Sequence, residues 1–251
     1  MLEYPAKLLA TLGGMGFLAR DSFVQIFKPP VGFRLILEEM YNLGVSSLSI
    51  TNVTLLFTGM VIAIQTSYTL GAYGAKIYVG NMVGLSLALE LGPVLTALMI
   101  AGRVGAGITA DLGSMKVTEQ VDAMKALAAN PVKRLVVPRL VALMIMVPAL
   151  TILAEVVGIF GGLLMAVFEI GQTSEFYMAH VLQSMRVSDL FRGLGKTPFF
   201  ALSIGIISCY NGLAAEGGAD GVGRATRNTV VTSSMTIFVS NFFLAKLFLW
   251  L

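Results

Sequence analysis

Long uncharged runs, separated by short charged segments, dominate the chain. Residues 40–75 hold no charge, 77–102 hold only Glu90, and 140–168 hold only Glu155. Residues 197–215 and 228–245 are again uncharged. A helix needs about 20 apolar residues to cross a bilayer core, so each run has room for one crossing. The pattern predicts an all-α integral membrane fold, a single domain over 1–251, with five transmembrane helices. The first is expected at 49–71, and the others within the runs that follow.

The segments between the runs have their own periodicity. In residues 1–40, Leu8, Leu9, Leu12, Phe17, Phe23, Ile26 and Phe27 alternate with Lys7, Arg20, Asp21 and Lys28. This predicts an N-terminal interfacial helix lying along the membrane, broken by Pro29-Pro30. Between the second and third runs, Val117, Val121, Met124 and Leu127 recur at three- and four-residue spacing. That spacing predicts a short amphipathic helix over 115–128, ended by Asn130-Pro131. Glu119 and Asp122 fall in its N-terminal half, where carboxylates complement the helix dipole. A docking helix and a solvated connector both fit this composition. Phe176, Tyr177, Val181, Leu182 and Met185 predict another short interfacial helix, and the glycine-rich 217–223 predicts a flexible loop.

Composition narrows the class. Only 12% of the 251 residues are charged and 56% are hydrophobic, against about 25% charged in soluble domains. Mean hydropathy is +0.83. So few charges cannot cover a water-facing surface. No basic run suggests nucleic acid, the single Cys209 cannot form an intrachain disulfide, and no cleaved-signal pattern opens the chain. Of the 17 Lys and Arg, 12 fall on the N-terminal side of a five-span topology. This places the N-terminus in the cytoplasm and the C-terminus outside.

Candidate chemistry is sparse. Nothing matches the G-x-x-x-x-G-K-[ST] phosphate loop, so ATP hydrolysis, if coupled, belongs to another chain. One histidine (His180) and one cysteine, with no acidic pair inside a run, argue against an enzyme or a metal site. Glu90 and Glu155 are ionisable residues inside spans and so functional candidates. A proton-coupled secondary transporter using both is one reading, with hydrogen bonding the structural expectation for Glu155. Arg103 reads as an interfacial anchor. The first span is unusually polar, with Thr51, Asn52, Thr54, Thr58, Gln65, Thr66, Ser67 and Thr69. Such residues face helix partners or a cavity.

Several motifs converge on one family. Glu90-Leu91-Gly92-Pro93, the stretch from Ala101 to Gly107, and the stretch from Met115 to Met124 resemble the MlaE/YrbE permeases of MCE-associated ABC transporters. Asn211-Gly212, Gly223-Arg224-Ala225-Thr226 and Thr229-Val230-Val231 extend the likeness over nearly the whole chain. The resemblance implies a permease in the bacterial inner membrane that works as a homodimer. It implies a cytoplasmic ABC ATPase that binds ATP and Mg, with no cofactor in this chain. An MCE-domain protein on the outer side and a small accessory protein on the ATPase complete the implied complex. The cargo would be phospholipid, in a pocket whose matching positions are Ile62, Leu70, Tyr73, Glu90 and Leu91. Residues 115–128 would be the cytoplasmic coupling helix, engaging the ATPase through Glu119, Gln120 and Asp122. Two positions depart from the family pattern. Arg often precedes the glutamate where this chain has Leu89, and Asp often stands where it has Asn241.

Overall fold

The computed structural model describes residues 3–28 and 32–250, and every regular element among them is helical. Helix α1 spans Glu3–Ile26 and α2 Phe33–Glu39. Pro29 and Pro30, the expected break, lie outside the described residues. A π turn (Met40–Gly44) and a 3-10 turn lead into α3, Leu48–Gly71. The next stretch is α4 (Val79–Ser86), a π turn (Leu87–Leu91), α5 (Gly92–Ile100), a second π turn (Ala101–Gly105) and α6 (Ala106–Val117). After α7 (Gln120–Ala126) and a π turn (Val132–Val136) come α8 (Val137–Phe168), α9 (Ser174–Ser184), α10 (Val187–Leu194), α11 (Thr197–Leu213) and α12 (Gly218–Trp250).

Among the described residues, five stretches are long and apolar enough to cross a membrane: Phe33–Gly71, Lys76–Val117, Val132–Phe168, Val187–Leu213 and Gly218–Phe248. All five predicted crossings have a counterpart, and each crossing stretch extends past its uncharged run at one end or both. Backbone hydrogen bonding does not stop where the hydrocarbon stops, so charged residues ride on the ends. α12 has 33 residues, about 50 Å at 1.5 Å per residue, against a core of about 30 Å.

Two connecting segments differ from expectation. The glycine run is not a loop. Gly217 and Gly218, at φ +87° and +66°, make the turn, and from Gly218 onward the chain is already α12. The segment 115–128 is not one helix either. Residues up to Val117 finish α6, Glu119 adopts φ +62°, and α7 covers only Gln120–Ala126. Asn130 acts as a cap for the following turn: its Oδ1 accepts from the Val132 N–H at 3.0 Å.

The chain packs as two compact units. The first takes the described residues of Met1–Val45, Ala101–Ile145 and Ala201–Thr236. In it α1 lies against the Val132–Val136 turn, with Leu18 and Ser22 buried and Leu9, Leu12, Phe17, Phe23 and Phe27 exposed. A hydroxyl cluster binds its helices: Thr109 Oγ1 is 2.9 Å from Thr229 Oγ1, and Asn211 Nδ2 donates to Thr229 Oγ1 at 2.9 Å. Buried Arg139 reaches Glu39 at 3.2 Å and Asp111 at 3.7 Å. Asp111 is therefore engaged by Arg139.

The second unit takes Ser46–Ile100, Met146–Phe200 and Ile237–Leu251. Here α3 and α8 cross at backbone contact. A Cβ on Gly59 would strike the Gly158 carbonyl, and one on Gly161 the Leu56 carbonyl. Small residues permit such contact where helices associate without a hydrophobic drive. Leu55, Ala63, Val83, Leu87, Tyr177 and Val181 form the core beside them. The short helix expected around 176–185 is α9, and α10 follows it as a separate helix. Thr173 caps α9 by accepting from the Phe176 N–H, and Asp189 caps α10 by accepting from the Arg186 N–H. Tyr177 and Val181 point into the core, whereas Leu182 is exposed. His180 stacks on Phe176 with ring centroids 4.3 Å apart.

Gly59→Leu is expected to destabilise the protein by about 1–3 kcal/mol or more, the range for overpacking. Gly102→Ala, which meets nothing within 4 Å, is the neutral control. Thermal unfolding in detergent compares them, and an unchanged Gly59→Leu midpoint would refute the backbone crossing.

Candidate functional site

The first span is polar, but most of its hydroxyls are already used. Thr51, Thr54, Thr58 and Thr69 bond to carbonyls three or four residues earlier on their own helix. This back-bonding satisfies a hydroxyl inside a membrane helix without any cavity. What remains is local. Ile62, Gln65, Thr66, Thr69 and Leu70 of α3, with Met82 and Ser86 of α4, line an open concavity of about 290 Å³.

Of the five residues expected around the lipid, the structure brings together only Ile62 and Leu70. Tyr73 lies past the end of α3 in an exposed turn, its N–H donating to the Leu70 carbonyl at 3.1 Å. Leu91 packs against the core of its unit. Glu90 enters a separate polar site. Met82 and Ser86, four residues apart on α4, had no polarity signal of their own in the sequence.

The site around Glu90 answers how its charge is met. Lys196 Nζ lies 2.6 Å from Glu90 Oε1, and Asn241 Nδ2 donates to Oε2 at 3.0 Å. Lys196 is 2% exposed. Its ammonium also donates to the Leu89 carbonyl at 3.0 Å. That oxygen stands four residues before Pro93, which has no N–H to offer it. One ammonium thus serves both the carboxylate and a carbonyl that the helix cannot satisfy. The Leu87–Leu91 π turn presents both groups, and π turns of this kind often mark functional positions. α10 packs directly on it: a Cβ on Gly193 would strike the Ala88 carbonyl.

With Leu at 89 and Asn at 241, one carboxylate faces one ammonium and the charges balance. Along the chain Lys196 is only a charge that precedes the fourth uncharged run. Its partner is 106 positions away, so no local pattern marked it. Glu155 is buried, beside Gly92, and its Oε1 has no hydrogen-bond partner among the described residues. The hydrogen bond expected there is missing at that oxygen.

The bend at 118–126 is the second candidate site. Glu119 stands exposed on the left-handed residue that turns α6 into α7. Gln120 Nε2 donates to Thr118 Oγ1 at 3.1 Å. Asp122 is clasped by Lys116 at 2.7 Å and Lys125 at 3.2 Å. Hydrogen bonds from those two ammonium groups hold its carboxyl below the usual aspartate range. Asp122 therefore braces the bend, while Glu119 and Gln120 project from it. No group of three or more His, Cys, Asp or Glu among the described residues is placed to hold a metal ion.

Comparison with known proteins follows the same contour. A family model described as "Permease MlaE" matches residues 36–247. The chain is 39% identical over 242 residues to a probable ABC transporter permease protein of Rickettsia bellii, covering 96% of this chain and 93% of that one. It is 42% identical over 231 residues to a probable ABC transporter permease protein of Synechocystis, covering 92% and 88%. It is also 36% identical over 239 residues to the intermembrane phospholipid transport system permease protein MlaE of Haemophilus influenzae, covering 94% and 91%.

Glu90→Gln strands a buried ammonium and is expected to cost about 2–3 kcal/mol. That is less than the 3–5 of a fully buried pair, because the Glu90 side chain is 44% exposed. Asn241→Asp adds a second carboxylate to one ammonium and is expected to lower the melting temperature. Leu89→Arg in the same chain is expected to restore it, so a melting temperature no higher in the double variant than in Asn241→Asp alone would refute charge balance. At the bend, the depressed Asp122 carboxyl contributes stability that is complete above its unfolded value of about 3.9. This contribution disappears as pH falls through the lower folded value. Amide exchange of residues 116–126, corrected for intrinsic rates, is expected to hold steady from neutral pH to about 4 and to quicken below it. Asp122→Asn is expected to quicken it already at neutral pH.

Proposed function

We propose, from the premise that this chain belongs to the MlaE permease family of ABC transporters, that it is the phospholipid-moving membrane subunit of such a system. It is a multi-pass membrane protein. In this reading it lies in the bacterial inner membrane, with its N-terminus cytoplasmic and its C-terminus periplasmic. It pairs with a second copy of itself and hands lipid to or from an MCE-domain protein on the outer side.

The observation that carries the reading is the α3–α4 concavity. Its floor of Ile62, Leu70 and Met82 suits acyl chain, and its Gln65, Thr66, Thr69 and Ser86 suit glycerol and ester oxygens. It is open, as a site completed by a second copy would be. In this reading the second copy packs on α12, where Phe238, Val239, Phe242 and Phe243 are exposed. Tyr73 and the Glu90 site would meet lipid only in the paired state.

The work comes from a separate ATPase carrying the ATP and Mg. Glu119 and Gln120, projecting from the bend, form the contact, and α7 with its brace transmits the stroke. ATP shifts the balance between an open and a collapsed lipid site through its different affinity for the two states. A proton-coupled carrier using Glu90 and Glu155 has one supporting observation, the unpaired oxygen of Glu155. The engagement of Glu90 by Lys196 weighs against it.

Leu70→Trp is expected to lower the amount of phospholipid that co-purifies with the complex. Unchanged lipid by mass spectrometry would sink the concavity as the cargo site. Glu119→Lys with Gln120→Lys is expected to abolish capture of the ATPase from native membranes while leaving the permease folded. Full capture and normal ATPase activity would remove the bend from the coupling role.

A further inference from the structure

A second groove lies on another face of α3, away from the concavity assigned to cargo. Ile64, Ser67, Tyr68 and Gly71 line it from α3, Lys76 from the following turn, and Glu169 and Ile170 from beyond the end of α8. Its volume is about 400 Å³, inside the range of about 300–1,000 Å³ typical of small-molecule sites. All of it belongs to the second unit.

Its depth follows from the chain. Gly71 ends the first span, Lys76 begins the second, and Phe168 ends the third. The three span ends meet here, so the groove sits where hydrocarbon gives way to headgroups. Ile64 lies nearly two helical turns below that level on α3. Tyr68, 88% exposed, stands at the rim where aromatic residues favour the interface.

The charges are held apart and ready. The Lys76 side chain folds across Gly71, whose added Cβ would lie 3.0 Å from Lys76 Cε. The Lys76 carbonyl accepts from Gln172 Nε2 at 2.8 Å, which pins that turn to the segment after α8. Glu169 is fixed from the other side, its N–H bonded to the Met165 carbonyl at 3.0 Å. Both side chains are exposed, both line the same groove, and no ion pair joins them. One cation and one anion on anchored backbone, over an apolar foot, match a molecule with an anion, a cation and a chain.

We infer that this groove is a headgroup-selective site for a zwitterionic phospholipid bearing a primary ammonium. Lys76 takes the phosphate, Glu169 takes the ammonium, and Ile64 with Tyr68 receives the start of an acyl chain. A carboxylate accepts hydrogen bonds from a primary ammonium, which a quaternary one cannot donate, and repels an anionic headgroup. The site therefore selects by headgroup, whereas the α3–α4 concavity offers no charged side chain. The inference does not require that the chain transports lipid.

The test uses the full chain in nanodiscs containing equal phosphatidylethanolamine, phosphatidylcholine and phosphatidylglycerol. Native mass spectrometry reads which lipid stays bound after ejection. Wild type is expected to retain phosphatidylethanolamine preferentially. Glu169→Gln is expected to cut that preference about tenfold, the scale of one hydrogen bond to a charged group. Lys76→Gln is expected to weaken retention of all three lipids, because they share the phosphate. Leu70→Trp, in the other concavity, is expected to leave the headgroup preference intact. Equal retention of the three lipids by wild type overturns the inference. So does a preference unmoved in Glu169→Gln, a retention unmoved in Lys76→Gln, or a preference abolished by Leu70→Trp. The exposed positions of Lys76 and Glu169 leave folding intact, and matching melting temperatures verify this.

Discussion

A buried ammonium needs anions or carbonyls, because the hydrocarbon of a membrane supplies no water to take their place. Lys196 meets that constraint, and much of the second unit is arranged around it. Its ammonium donates to Glu90 and to the Leu89 carbonyl, and Asn241 completes the Glu90 carboxylate. Residues from the π turn, the start of α11 and the late part of α12 are thereby tied to one point. Pro93 contributes by what it lacks, since the carbonyl it leaves open is one that Lys196 takes. Glycine at 193 lets α10 close over the same turn.

That arrangement separates two tasks that a list of polar span residues would merge. The Glu90 site is a charged knot with both oxygens of its carboxylate engaged. The α3–α4 concavity carries hydroxyls, an amide and apolar side chains, with no charge. A lipid chain loses little by entering the second and would disrupt the first. The bend at 118–126 divides its labour in a similar way, with Asp122 held by Lys116 and Lys125 while Glu119 projects from the turn.

The sequence was most legible where the physics is one-dimensional. Crossing a bilayer demands about 20 apolar residues in a row, so the uncharged runs located all five spans and Glu90 stood out inside one. Resemblance in the Glu-Leu-Gly-Pro stretch and around Met115–Met124 pointed to the family. It was least legible at the connections. A glycine run reads as a loop, yet only Gly217 and Gly218 take positive φ and the rest begin α12. A helical periodicity over 115–128 hides the left-handed Glu119, because spacing of Val117, Val121 and Met124 survives a one-residue break.

By itself, then, the sequence determined that this chain lives in a membrane, how often it crosses, and that it carries no phosphate loop of its own. Those are consequences of hydrophobic run length and of local motifs, which need no partner. Tertiary structure alone decided what meets Glu90, since Lys196 and Asn241 stand 106 and 151 positions away. It also decided that Ile62 and Leu70 share a concavity while Tyr73 and Leu91 do not, and that Lys76 and Glu169 face one groove. Charge pairing and cavity shape depend on which helix faces which, and periodicity along one helix does not encode that.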